Sequence, residues 1–193
     1  MLWGGAASGG ALELRRETDG GVRLRGRFPY GQETTLAKGR AERFAARAFA
    51  ARIEAGEDIH LLSQHDYAQP LASRAAGTLT LRDTDQALEL EALITPDMAQ
   101  ATWARDFIAA QGAGLIRGLS PGFRVPPGGE VIERRGDGIL RTVRAADLME
   151  LSAVTVPAYP AAQIEARNWN AAQAGQICPT LAGLQRTLLR WRA

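Results

Sequence analysis

An α+β fold, with a mainly antiparallel, barrel-like sheet and flanking helices, is the class this sequence predicts. Short apolar runs divided by Gly, Pro and Asp turn clusters recur along most of the chain, and only two stretches of its main body show helical spacing. No internal repeat points to a solenoid. The 193 residues, 46% of them hydrophobic, suffice for one substantial core. One domain over residues 1–167 with a tail over 168–193 is expected.

Ala11 to Glu17 and Val22 to Phe28 flank the turn cluster Thr18-Asp19-Gly20-Gly21 and predict an opening hairpin. Arg40 to Ala55 carries Phe44, Ala48, Phe49 and Ile53 at helical spacing, with Gly56 behind it, and predicts a helix. The apolar run Ile59 to Leu62 leads into Gln64-His65-Asp66, which puts His65 at a strand end. Leu71 to Leu81 and Ala87 to Thr95 read as paired strands. Pro96 suits the first turn of a second helix, which runs through Trp103 and Phe107 to Gly112 and Gly114.

Leu115 to Val125 is strand-like but interrupted by Gly118, Pro121 and Gly122, and the Pro-, Gly- and charge-rich stretch 126–137 predicts an exposed loop. Ile139 to Arg144 and Leu148 to Val156 are the most β-like runs, the second closed by Pro157 and Pro160. In the tail, Leu181, Leu184, Leu188, Leu189 and Trp191 share a helical spacing with arginines between them, as in a short amphipathic docking helix.

With 23 basic against 21 acidic residues, the balance demands neither nucleic acid nor an anionic membrane as partner. The start of the chain shows neither signal-peptide nor anchor character, no apolar stretch would span a bilayer, and a soluble protein is expected. A lone cysteine, Cys178, forms no internal disulfide and suits the cytoplasm. The only two histidines, His60 and His65, lack a metal-binding spacing, and no thiolate cluster exists, so no metal or other cofactor is expected.

Scarce histidine narrows acid–base chemistry to two side chains. Gly118-Leu119-Ser120-Pro121-Gly122 matches G-x-S-x-G formally, but not the α/β-hydrolase elbow. Pro121 blocks a helix there and has no N–H for an oxyanion, and no histidine follows Ser120. A His-then-Ser order still permits a triad, which is defined by geometry. Ser120 as nucleophile and His65 as base would have to meet beside an accessible groove. Glu150, in an apolar run, is the best carboxylate for the third position, with Asp66 and His60 as alternatives. Glu150 could instead be an ion-pair partner of Arg141 or Arg144, and Ser120 an ordinary turn serine.

Four segments taken together resemble the prohead proteases of tailed phages, the Hong Kong 97-type family, considered similar in fold to herpesvirus assemblin. They are the Phe44-to-Phe49 region, Leu61-Leu62-Ser63-Gln64-His65-Asp66 with Pro70-Leu71, Gly118 to Phe123, and Leu148 to Pro160, which resembles the signature Glu-x-Ser-x-Val-x-x-Pro-Ala-Tyr. The resemblance implies His65 as base, Ser120 as nucleophile and Glu150 as third member, where assemblin uses a second histidine. It further implies a serine endopeptidase, a homo-oligomer, inside the immature capsid in a bacterial host's cytoplasm. Its substrates would be the scaffolding portion of the major capsid protein and the protease itself. A prophage or gene transfer agent origin suits the Ala- and Arg-rich composition. A catalytically silent scaffold protein of the same fold and a generic serine esterase are the competing readings.

Overall fold

Turn chemistry opens the fold. Asp19 accepts the Gly21 N–H at 2.9 Å, Gly20 takes φ 91°, and β1 (Ala11–Arg16) and β2 (Val22–Pro29) pair antiparallel with Leu14 opposite Leu24. The structure is a computed structural model describing residues 11–116 and 118–156, all within one compact unit, Met1–Ala162. The expected tail helix lies outside the described residues.

Among the described residues, twelve strands form three four-stranded sheets. The first joins β1 and β2 to β8 (Ala87–Ile94) and β7 (Leu79–Asp83). The second contains β3 (Thr34–Ala37), β4 (Arg40–Phe44), β10 (Glu130–Arg135) and β11 (Gly138–Val143), in the order β10-β11-β4-β3. The third, ordered β6-β5-β12-β9, is built of β5 (His60–Ser63), β6 (Asp66–Ser73), β9 (Gly118–Arg124) and β12 (Asp147–Val154). Helix α1 spans Ala50–Glu54, and α2, Thr102–Gly112, follows a 3-10 turn at Met98–Gln100.

The α+β composition and the mainly antiparallel pairing agree with expectation, seven strand pairs being antiparallel and two parallel. The sheets do not close into a barrel, which corrects the barrel-like expectation. Both parallel pairs, β11 with β4 and β12 with β5, join strands remote in sequence, and local patterning cannot reveal such partners.

Three local expectations also change. Residues 40–44 form β4, with Glu42 and Phe44 buried, because parallel pairing to β11 outweighs helix propensity, and helix remains only at α1. The expected strand 71–81 divides into β6 and β7 at a turn where Gly77 takes φ 69°. The expected loop 126–137 contains β10, whose outward charged residues leave the backbone free to pair with β11.

Five rings tie the three sheets together. Phe28 of β2, Tyr30, Phe44 of β4, Phe49 and Phe123 of β9 meet at centroid separations from 5.1 to 6.4 Å, mostly edge to face. Gly26 lets β9 approach β2, since a Cβ there would stand 2.5 Å from Leu119 Cδ1. Arg141, buried in β11, donates from Nη1 to Glu42 at 2.9 Å and from Nε to Glu130 at 2.6 Å. Burial raises the Glu42 carboxyl above the ordinary range, and the neighbouring guanidinium opposes that rise.

Phe49→Ala should cost about 3–5 kcal/mol, read as a lower urea midpoint, because it empties the centre of the ring cluster. Asp83 offers a pH test. Its carboxyl accepts the Tyr30 hydroxyl, yet burial raises its pKa above the usual aspartate value. A raised folded pKa means tighter proton binding by the folded state. The resulting stability is present below the ordinary aspartate range and is lost as pH rises through the raised value. Urea denaturation from about pH 3 to 7 should show wild type losing stability relative to Asp83→Asn, and a constant difference would exclude this assignment.

Candidate active site

Strand β12 is the spine of the site. It pairs parallel with β5 (Glu150 beside His60, Ser152 beside Leu62) and antiparallel with β9 (Glu150 opposite Gly122, Ser152 opposite Ser120). Side chains two apart on a strand share a face, and so do directly opposed residues of an antiparallel pair. Glu150, Ser152, Ser120 and Gly122 therefore lie on one face. A bulge between Leu148 and Glu150 leaves Met149 without a partner on β9 and sets this register.

His65 reaches that face from a turn. Ser63 and Asp66 pair across the β5–β6 hairpin, and Gln64 and His65 between them both adopt positive φ, 56° and 62°. Two positive-φ residues in a two-residue loop are the pattern of a type I′ turn, which matches the twist of its strands. Neither residue is the usual Gly or Asn, so the turn is strained by about 1–2 kcal/mol per residue. Backbone bonds to β12 hold it, the Gln64 N–H donating to the Ala153 carbonyl at 3.1 Å and the His65 N–H to Ser152 Oγ at 2.9 Å.

The imidazole then meets a buried carboxylate. His65 Nδ1 and Glu150 Oε1 are 2.6 Å apart, and Glu150 Oε2 accepts the Ser152 hydroxyl at 2.6 Å. With Glu150 ionised, Nδ1 carries the proton and Nε2 the lone pair, a tautomer assigned from the bond itself. Gly122 makes room, because a Cβ there would stand 2.1 Å from Glu150 Oε1 and 2.9 Å from its Cδ.

Two polar atoms remain unpaired. His65 Nε2 and Ser120 Oγ are both buried and have no hydrogen-bond partner, so no hydrogen bond joins them in this state. One is an acceptor and the other a donor, the complement a proton transfer needs. Ser120 is only 1% exposed, and Gly118 to Phe123 are buried throughout. This differs from the open groove expected from sequence. Ser120 is a small residue of a strand segment buried on both faces, with Ser152 directly opposite it on β12.

The alternatives lie elsewhere. Asp66 is engaged within its own turn, accepting the Ala68 N–H and Gln69 Nε2, both at 2.8 Å. His60 has its ring edge-on to Tyr67 at 6.3 Å, with Asp58 at 3.8 Å. Arg141, one candidate partner for Glu150, is held by Glu42 and Glu130. Ser152 and Gly122 fall within the motifs read from the sequence, but no role in the site was assigned to either. Their signals were the period of two in Glu150-x-Ser152 and the glycine two residues after Ser120 on a strand, legible only once β9 and β12 are known to pair.

A family model described as Caudovirus prohead serine protease matches residues 11–176. No curated protein and no solved structure matches the chain.

Two substitutions test the geometry. Gly122→Ala should expel the Glu150 carboxylate, weaken the fold by about 1–3 kcal/mol and abolish the downfield imidazole N–H resonance expected of the His65–Glu150 bond. Ser120→Ala removes a buried hydroxyl that has no partner, and urea denaturation should find the variant as stable as wild type or about 1 kcal/mol more stable. A marked loss would mean that the hydroxyl is satisfied in solution.

Proposed function

Because the chain belongs to the caudovirus prohead serine protease family, we propose that it is the endopeptidase that removes the scaffolding portion of the major capsid protein, and then cuts itself, using Ser120, His65 and Glu150. The observation that carries the assignment of residues is the His65–Glu150 bond, which leaves Nε2 unpartnered, as is the Ser120 hydroxyl on the strand that pairs with that of Glu150.

The reaction follows from that arrangement. Ser120 Oγ attacks the scissile carbonyl carbon as its proton passes to His65 Nε2, and the carbonyl π pair becomes an oxyanion. Glu150, already bonded to Nδ1–H, stabilises the imidazolium without taking its proton. Collapse of the tetrahedral intermediate breaks the C–N bond, the imidazolium protonates the departing amine, and an acyl-enzyme remains. Water, deprotonated by Nε2, then adds to the ester, and Ser120 leaves with the proton restored. The residue after the nucleophile is Pro121, so that position supplies no N–H to the oxyanion, and the donors lie elsewhere.

Ser120 is covered in the state described, so a substrate segment must displace covering side chains to reach it. A closed site suits an enzyme packaged with its substrate before cleavage begins. The same reading places the enzyme inside the immature capsid of a bacterial host, with capsid subunits as partners. Among the described residues no helix is long and apolar enough to cross a membrane.

Coexpression with the capsid subunit encoded beside it tests the proposal. Wild type should shorten the subunit and itself, Ser120→Ala and His65→Ala should leave both at full length, and Glu150→Gln should slow cleavage by at least about 100-fold. Undiminished cleavage in the Ser120 or His65 variant would remove the assignment.

A further inference from the structure

Ser152 joins both halves of the histidine–carboxylate pair. Its hydroxyl donates to Glu150 Oε2 at 2.6 Å and accepts the His65 backbone N–H at 2.9 Å, while the side chain is 0% exposed. Across the β9–β12 ladder its cross-strand partner is Ser120. One buried hydroxyl thus spends its proton on the carboxylate and a lone pair on the strained turn, next to the candidate nucleophile.

These bonds act on different degrees of freedom. A carboxylate with only one oxygen held can rotate about its terminal torsion, which is broad and soft. Ser152 holds Oε2 and thereby fixes the orientation in which Oε1 faces Nδ1. The other bond pins His65 at φ 62°, a conformation a histidine would otherwise leave for a more favourable one. Ser152 cannot itself be the attacking group in this state, because its proton is directed at Glu150 rather than at an imidazole nitrogen.

We propose that Ser152 is a positioning residue for the hydrolytic reaction, clamping His65 and Glu150 in the mutual orientation that aims Nε2 toward Ser120. The inference rests on the assignment of Ser120, His65 and Glu150 above. The donated hydrogen bond draws charge from the Glu150 carboxylate, so its loss alters the bond that carboxylate makes to His65 Nδ1.

The full chain should be labelled with a small fluorophosphonate that esterifies nucleophilic serines, and the rate followed against pH for wild type, Ser120→Ala, Ser152→Ala, Glu150→Gln and the double variant Ser152→Ala/Glu150→Gln. Ser152→Ala should react about 10- to 100-fold more slowly at the plateau, the loss of a hydrogen bond to a charged group. Its pH–rate profile should differ in shape from that of wild type, as a merely structural role would not require. In the Glu150→Gln background the same substitution should cost clearly less than in wild type, because only the bond to the His65 backbone then remains to be lost.

Thermal melting checks that Ser152→Ala remains folded, as removal of a single oxygen should allow. An unchanged pH–rate profile, or an equal rate loss in both backgrounds, overturns the positioning role. Equal labelling of Ser120→Ala and wild type overturns instead the assignment of the nucleophile, so the two failures are distinguishable.

Discussion

The register of β12 between β5 and β9 is the constraint on which the rest of the molecule depends. Side chains alternate faces along a strand, and a slip of one residue would carry Glu150 and Ser152 to the opposite side of the sheet. His65 would then have no carboxylate, its turn would lose the Ser152 hydroxyl, and Ser120 would face a different neighbour. The bulge at Met149 and the backbone bond from Gln64 to Ala153 fix this register from two sides. Gly122 completes it, since only a residue without Cβ leaves the carboxylate its place opposite β9.

Such a site is costly to hold. Two positive-φ residues other than glycine, a buried carboxylate and two buried polar atoms without partners all oppose folding. The compensation lies outside the site. Rings from all three sheets pack at Phe49, Leu119 settles on Gly26, and the Trp103 indole of α2 donates to the Pro70 carbonyl of β6 at 3.2 Å. Rigid packing around the third sheet allows a strained turn to persist at its edge.

Much of the fold could be read from particular residues. The opening hairpin follows from Asp19 and Gly20, the β7–β8 pair from two alternating runs, and α2 from the spacing through Phe107. That helix starts at Thr102, after a 3-10 turn and an extended Ala101, and not at Pro96. Where reading failed, a distant partner decided. Arg40 to Phe44 has the composition of a helix, yet it pairs with a strand almost a hundred positions later. Residues 130–135 look like a charged loop because most of their charged side chains face outward, while the backbone pairs with β11 and Glu130 holds Arg141. The three-sheet arrangement in place of a barrel has the same origin, since parallel partners carry no local signature.

For the site, the sequence by itself determined the cast: two histidines, one serine in a glycine-flanked segment, and a glutamate in an apolar run. It also excluded the hydrolase elbow, because proline has no N–H wherever it stands in space. Only the tertiary structure decided which histidine meets which carboxylate, that Ser152 lies between them, and that Gly122 provides the room. The reason is physical. Composition and spacing specify the chemistry and facing of each side chain within its own strand, whereas proximity across strands arises from hydrogen-bond register between segments remote in sequence, from 28 positions (Gly122 and Glu150) to 90 (His60 and Glu150), which no local pattern encodes.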